Sequence, residues 1–589
     1  MRKETKNGVT YTFETDDLTS EAVDVDVQPG IEYLILEYGL NMPDSKKSFP
    51  EVKYLTIQKG VKRIEIPNTL FPNVKCVVSK DIRTFESGRY LVSNIGGKTL
   101  KNVFCPAEDE VIEIPDVYYI GAYAFKGCKS TKISTRRRYC ISCNENAFAG
   151  SAFMEQPFTL GVKMAGRILI DVDQTVEEIV FPDEEEQIFA FAKEVDLKNI
   201  KNLVIHNVDS LERLTYDKGL PQKVTFIPSN NNLEDLKYEI RHLASVSRNA
   251  EYIKEIEVIS PYVKCVNGII YTSDMKTIIA STMYQTDIVI PEGVENIDCE
   301  AFADCHLTSI KLPDSLINIK KEAFRRCMNL RSVVFGTGVT KIPSYTFESC
   351  INLENVILPP NLEKICDGAF KSTNLSNIKL TEGLKEIRYH AFDDTPMQEI
   401  VIPSTVSLSG SAFGKNMEHI TTLQYSESLI ACCSTAYEPR YSEIAGYVIR
   451  LDCGGKTAYL PKYLKPGLYK EFLKTVSYFL QDFRQEHCEF WEFGYSAKGK
   501  EYAALAEYLA FGGETAKVYL KKNSKRIITR LLEEKDEENA AAFLKAGFVS
   551  KITLKALLPI AEENDMMAIK SYILSQINKN GITKQKFYI

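Results

Sequence analysis

No run of about 18 apolar residues occurs in the chain, so no segment is expected to insert in a bilayer. The basic start, Met1-Arg-Lys-Glu-Thr-Lys-Asn-Gly8, is not followed by an apolar stretch of signal-peptide length. On that reading neither export nor membrane insertion is expected. Excess charge is also scarce: a net −7 over 589 residues is too little for a broad pull on nucleic acid or an anionic membrane. The six histidines are scattered, with no His-x-x-x-His spacing, which argues against zinc. No Gly-x-Ser-x-Gly elbow is present and no His stands in a triad context, so an activated serine is unsupported.

What remains is the composition of a folded, water-soluble protein, 44% hydrophobic and 26% charged. Charge is unevenly spread. Residues 461–589 hold 21 Lys/Arg against 16 Asp/Glu, a balance of +5, which leaves −12 for residues 1–460. Fifteen cysteines without regular disulfide spacing fit a reducing compartment, where Cys behaves as a small buried hydrophobe. The expected location is therefore cytoplasmic, with the cell surface as the alternative if a leader has been removed.

A period organises the chain. Ile288-Val-Ile-Pro-Glu-Gly-Val-Glu-Asn-Ile-Asp-Cys-Glu-Ala-Phe302 is followed by Ile310-Lys-Leu-Pro-Asp-Ser-Leu-Ile-Asn-Ile-Lys-Lys-Glu-Ala-Phe324, and the pattern returns at Phe347, Phe370, Phe392 and Phe413, every 21 to 23 residues. Each unit carries a Leu-x-x-Ile/Val-x-Leu stretch, as Leu307/Ile310/Leu312, Leu330/Val333/Phe335, Leu353/Val356/Leu358 and Leu375/Ile378/Leu380. The last two of each set flank a residue that must face the other way, the period-2 pattern of a half-buried strand. A Val or Leu stands eight residues before the Phe and an Ile five before it. One such unit cannot bury its own apolar side chains; stacked copies would place each Leu, Ile and Phe against its equivalent in the next turn. Earlier copies run from Ile114-Pro115 to Phe125, to Phe148, and more loosely from Ile64 to Phe71 and from Ile179 to Phe191. Asn267-Gly-Ile-Ile-Tyr-Thr-Ser-Asp-Met-Lys-Thr-Ile-Ile279 and Tyr447 to Pro461 read as β-hairpins.

The I-x-I/L-P-x-x-V/L-x-x-I-x-x-x-A-F unit resembles the BspA-like leucine-rich repeat, strongly over 288–413, well over 112–148, and loosely elsewhere in 46–460. The resemblance implies a repeat solenoid, a β-rich arc of about 22–23 residues per repeat, and in secreted relatives the binding of host or neighbouring-cell proteins. The expected domains are an N-terminal β-rich cap (1–45), irregular leucine-rich repeats (46–265), a β-hairpin insertion (266–287), regular repeats with a closing hairpin (288–460) and an α-helical C-terminal domain (461–589). In that tail Tyr469 to Phe483, Glu501 to Ala510 and Thr515 to Glu534 are rich in helix formers. Ala556 to Leu574 resembles the paired helices of an ankyrin repeat.

The period also gives dull accounts of the motifs that suggest chemistry. Cys140-Ile-Ser-Cys143 has dithiol or metal spacing, yet Cys143 fills the slot of Ile120 and Ile297, and Cys140 that of Val117 and Val294. Cys128, Cys305, Cys327 and Cys350 each stand three residues after a repeat Phe, a column of small apolar side chains. Gly96-Gly-Lys-Thr99 and Gly454-Gly-Lys-Thr457 lack the further Gly of a phosphate loop, where Val92 and Arg450 stand, and read as turns. Asp183-Glu-Glu-Glu186, Arg136-Arg-Arg-Tyr139 and Lys521-Lys-Asn-Ser-Lys-Arg526 read as solvated charge.

The expected function is therefore non-catalytic: a binding scaffold that recognises a macromolecule, a protein first and a glycan second, with no catalytic residue, metal or cofactor and no nucleic-acid partner. The outward strand positions Lys311, Val334, Ile357, Lys379 and Val401 are the candidate partner-binding face. Two alternatives stand beside it: a bacterial cell-surface adhesin, and an enzyme whose activity lies in residues 461–589.

Overall fold

The computed structural model describes residues 1–15, 21–135, 142–182, 190–191, 197, 199–209, 211, 220–229, 232–249, 253–282, 286–435, 446–481 and 488–578. The chain forms two compact units, Met1–Asp274 with Ala280–Thr282, and Met275–Ile279 with Met283–Ile589.

The first unit begins with three antiparallel strands, Arg2–Lys6, Val9–Phe13 and Asp24–Val27. A parallel ladder follows, Tyr33–Leu36 against Tyr54–Ile57 against Cys76–Ser79. Its first strand would present unpaired backbone groups, a liability at any sheet edge. The buried Tyr11 hydroxyl meets two of them, donating to the Ile35 carbonyl at 3.1 Å and accepting from the Glu37 amide at 3.1 Å. Further on, Phe125 and Phe148 stack with centroids 4.3 Å apart. The repeats look irregular in sequence after about residue 200 because a 17-residue helix, Leu233–Asn249, is set between two strands of a parallel ladder, Lys223–Phe226 and Glu255–Val258. Asn232 starts the helix by accepting from the Glu234 amide at 3.0 Å, and Glu234 and Asp235 favour its positive end. Asn267 and Gly268, both at positive φ, turn a hairpin between Val263–Val266 and Ile269–Thr272.

In the second unit the period becomes a stack. Phe302, Phe324, Phe347, Phe370, Phe392 and Phe413 form one column, with ring centroids 5.1, 5.2, 5.4, 5.4 and 5.9 Å apart and planes within 12° of parallel. The rings are buried, each contributing on the order of 1.5–3 kcal/mol by leaving water. Beside them Cys327 Sγ donates to the Phe302 carbonyl at 2.9 Å, and Cys350 Sγ to that of Phe324 at 3.1 Å. Thr373 and Thr395 hold the same slot further along, and each hydroxyl donates to the Phe carbonyl of its own coil.

Two parallel ladders flank this column. One joins Asp287–Val289, Ser309–Lys311, Ser332–Val334 and Asn355–Ile357 in register. The other side is built from Asn296–Ile297 with Asn318–Ile319, and from Lys341–Ile342, Lys364–Ile365, Glu386–Ile387 and Ser407–Leu408. Around each Phe the backbone takes a conformation the sequence hides. Glu300, Glu322, Tyr345, His390 and Ser411, two residues before the Phe, all have positive φ, as do Asp304, Arg326, Ser349, Ser372 and Asp394 two residues after it. Such non-glycine positions are strained. They recur because alternate amides then point at the next coil: Phe302 N donates to Ala323 O and Asp304 N to Arg325 O, both at 2.8 Å.

The last strands, Glu399–Ile402, His419–Thr422, Val448–Cys453 and Lys456–Pro461, form one sheet that ends in a hairpin turned by Gly454 and Gly455. Helices then follow: Tyr469–Gln481, Ala497–Phe511, Glu514–Lys522, Ser524–Glu533, Glu537–Lys545, Lys551–Glu563 and Met567–Asn578. The expected single run from Thr515 to Glu534 is thus two helices, parted at Asn523, whose own N–H bends back to Lys521 and Tyr519 carbonyls. Phe483 lies outside the described residues. A different turn occurs twice, at Lys535 and Asp565, each at positive φ and each followed by an amide that bonds back over five residues, Asp536 N to Leu531 O and Met566 N to Ala561 O. Helical hairpins of one type therefore repeat in the tail.

Candidate functional site

Each strand of the Asp287–Ile357 ladder turns its middle residue inward, where Ile288, Ile310 and Val333 are buried, and its outer residues toward solvent. Strand register then lines up one outward column, Val289, Lys311, Val334 and Ile357. Val401 stands exposed in the strand Glu399–Ile402 further along. Val289 is 73% exposed, Ile357 62% and Val401 69%. Lys311 and Lys379 are exposed, and Val334 is half-buried. Lys379 is the one candidate that lies in no strand: a bend at Ser376 takes the backbone off the ladder there.

Electrostatics separate this face from the rest of the coil. Elsewhere charged side chains pair from one coil to the next: Lys276 with Glu295 at 2.7 Å, Lys320 with the buried Asp298 at 2.8 Å, Lys385 with Glu363 at 2.6 Å, Arg326 with Asp304 at 3.0 Å. Among the described residues, no ion pair includes a side chain of the four strands Asp287–Val289, Ser309–Lys311, Ser332–Val334 and Asn355–Ile357, nor Lys379. The signal that would have separated the two sides in sequence is the charge pattern at a 22-residue offset, Lys364 against Glu386 and Glu363 against Lys385, which hydrophobic periodicity does not weigh.

Among the described residues, several groups of acid, base or nucleophile type are held by local contacts. On the strands His419–Thr422 and Val448–Cys453, His419 Nε2 lies 2.7 Å from Asp452 Oδ2 and 3.3 Å from Thr421 Oγ1. Both contacts use the same ring nitrogen, whereas a proton relay needs one on each. Burial raises the Asp452 carboxyl, but bonds from Thr457, His419 and Arg450 outweigh it and leave it below the ordinary range. A cavity of about 460 Å³ is bounded by His390, Ser411, Cys432 and Lys462. Burial brings the Lys462 amine down to about 8, and its Nζ donates to the Lys415 carbonyl at 2.8 Å. Burial pushes the Cys432 thiol up to about 12, and Sγ donates to the Ser409 carbonyl at 3.1 Å. Burial of this kind fits a packing role for the thiol.

The other sequence motifs fall as follows. Cys143 packs in its ladder slot opposite Ile120, its thiol pushed up to about 12 by burial, while Cys140, Arg136 to Tyr139 and Asp183 to Glu186 lie outside the described residues. Gly96 and Gly97, at positive φ, turn a hairpin between Leu91–Ser93 and Thr99–Asn102. In the basic stretch of the tail, Arg526 reaches the buried Glu501, as does Arg530. Among the described residues no group of three or more His, Cys, Asp or Glu is placed to hold a metal, and no helix is long and apolar enough to cross a membrane.

Residues 97–218, 276–398 and 340–439 match the family described as BspA type leucine rich repeat region, in six copies. No curated protein matches the chain in sequence. Among solved structures, a leucine rich cell surface protein from Faecalibacterium prausnitzii is similar at 15% identity over 73% of this chain and 97% of its own, with a TM-score of 0.27. A leucine-rich repeat protein from Eubacterium ventriosum is similar at 14% identity over 69% and 93%, TM-score 0.28, and one from Bacteroides ovatus at 16% over 71% and 94%, TM-score 0.25.

Proposed function

We propose, from repeats of the BspA leucine-rich type, that the chain is a non-catalytic scaffold that recognises a protein partner through the face that carries Lys311, Val334, Ile357, Lys379 and Val401. The observation that carries this reading is the contrast around one coil: ion pairs stitch the other sides, while this side keeps exposed Val and Ile beside lysines that have no ion pair among the described residues. Contiguous exposed apolar surface on a soluble protein marks a contact surface more often than chance. A rigid ladder also lets outward side chains vary without disturbing the core, which suits recognition over many contacts.

The helical region starting at 461 is read as closing the array. Val448, on the closing hairpin, packs against the helical core, and Tyr447 stacks on Tyr502 at 5.4 Å. A reducing compartment is the proposed location, since the described cysteines are free thiols. Fractionation of the source cells tests that part: recovery on the outer surface alone would replace it with the adhesin reading. The binding reading is tested by capture from native lysate with wild-type and Ile357→Asp protein. A partner retained by the first and lost by the second is expected. Partners held equally by both would refute the assignment of the face.

A further inference from the structure

We infer that residues 376–380 are a detachable strand, leaving and rejoining the outer ladder as a unit, so that the array hinges open on that side at the coil of Phe392. Neighbouring coils of the column meet along the outer strand, the return strand and the turn around Phe. Between Phe347 and Phe370 all three are joined. The return strands lapse once, between Ile319 and Ile342, yet each of those strands stays paired to its other neighbour. The coil of Phe392 differs. Among the described residues, 376–380 make no backbone hydrogen bond to 354–358 before them or to 398–402 after them. The other two sides run through unbroken: Lys364–Ile365 pairs with Glu386–Ile387 and that with Ser407–Leu408. At the turns Phe370 N donates to Ala391 O at 2.8 Å and Phe392 N to Ala412 O at 2.9 Å. Two successive joints are thus fastened on two sides and open on the third, so movement there opens the outer side.

The segment is nevertheless a strand in sequence. Leu375-Ser-Asn-Ile378-Lys-Leu380 has the Leu-x-x-Ile-x-Leu pattern of its neighbours, and can pair when the coils close. While it stays off the ladder the core beneath is loosened: Val356 and Ile378 are half-buried, whereas their counterparts Ile310, Val333 and Ile400 are 2%, 0% and 5% exposed. Where other coils have Pro313, Pro359 and Pro403, this one has Thr381, whose hydroxyl is buried with no hydrogen-bond partner among the described residues. Closing gains backbone bonds and buries Val356 and Ile378; opening hydrates the Thr381 hydroxyl and the strand amides. These opposed terms keep both states within reach. Ile357 and Val401 lie on either side of the open joint, so the hinge sets the distance between two parts of the exposed face, whether or not that face binds a partner.

Double electron-electron resonance on the full chain tests this, with spin labels carried on introduced p-acetylphenylalanine so that native thiols are untouched. Each label pair spans three coil steps: Val334 with Val401 across the open joints, Lys341 with Ser407 on the return side of the same coils, and Val289 with Ile357 on the closed ladder. The first distance distribution is expected to be about twice as broad as the other two. Equal widths would overturn the hinge. Limited trypsin digestion of the unmodified chain gives a second readout, because Lys379-Leu380 and Lys311-Leu312 are the same bond in the same slot, one off the ladder and one on it. Cleavage after Lys379 is expected to be about tenfold faster or more, since proteolysis follows the population of the opened segment. Cleavage at equal rates would overturn the detachable strand.

Discussion

On one side of the coils Lys276 meets Glu295, Lys320 meets Asp298 and Lys385 meets Glu363, each pair tying a coil to its neighbour; on the other, Val289 and Ile357 stand in water beside Lys311 and the half-buried Val334. Both sides rest on the same buried column of phenylalanines, so the core does not explain the difference. In a stack with a step near 5 Å every exposed residue faces its own equivalents, and like charges there repel. Setting Lys against Glu or Asp from one coil to the next removes that cost. On the proposed reading, the side without such pairs is the one that meets a partner.

The comparison breaks first if the shared core is not what carries the fold. Phe347→Ala, in the middle of the column, removes a buried ring stacked on Phe324 and Phe370 and is expected to cost about 3–5 kcal/mol in urea unfolding. A cost below about 1 kcal/mol would mean that the coils do not depend on the column.

The second prediction concerns the helical tail. Burial pushes the Glu507 carboxyl up to about 9, while its Oε1 accepts from the amides of Phe490 at 2.6 Å and Trp491 at 3.0 Å. The folded value lies above the unfolded one of 4.5, so the contribution of this group is fully present below about pH 4.5 and is lost as pH rises toward 9. Glu507→Gln is therefore expected to stabilise the tail at pH 8 and to match wild type near pH 4. Trp491, the single tryptophan of the chain, reports the transition by fluorescence. A Gln variant less stable than wild type at pH 8 would contradict this.

The smallest effects sharpen the contrast itself. Lys385→Ala breaks an exposed pair and is expected to cost about 0–1 kcal/mol, diminishing with salt. Ile357→Asp, which has no pair to break and no core to open, is expected to change stability by less than about 0.5 kcal/mol while abolishing partner capture. A large stability loss on that face would show it to be structural.

Much of this was legible in the residues. The spacing from Phe302 to Phe413 announced the column, and the Cys slot three residues later announced its neighbour, because burial forces identical positions to recur. The left-handed residues around each Phe were hidden, since only Gly368 among those beside Phe324 to Phe392 hints at positive φ; Glu322, Tyr345 and His390 hold it against their own preference because inter-coil hydrogen bonds require it. The helix Leu233–Asn249 was masked by a stretch that looked like failed repeats, and the loss of the ladder at Lys379 follows a local bend that periodicity cannot register.

The most direct test of the recognition surface is hydroxyl-radical footprinting of the full chain with and without the partner captured from its source cells. The account predicts protection of Val289, Val334, Ile357 and Val401 in the complex, with Ile317 and Ile351 as reactive as before. Protection confined to Ile317 and Ile351, or to the helices after residue 461, would contradict it.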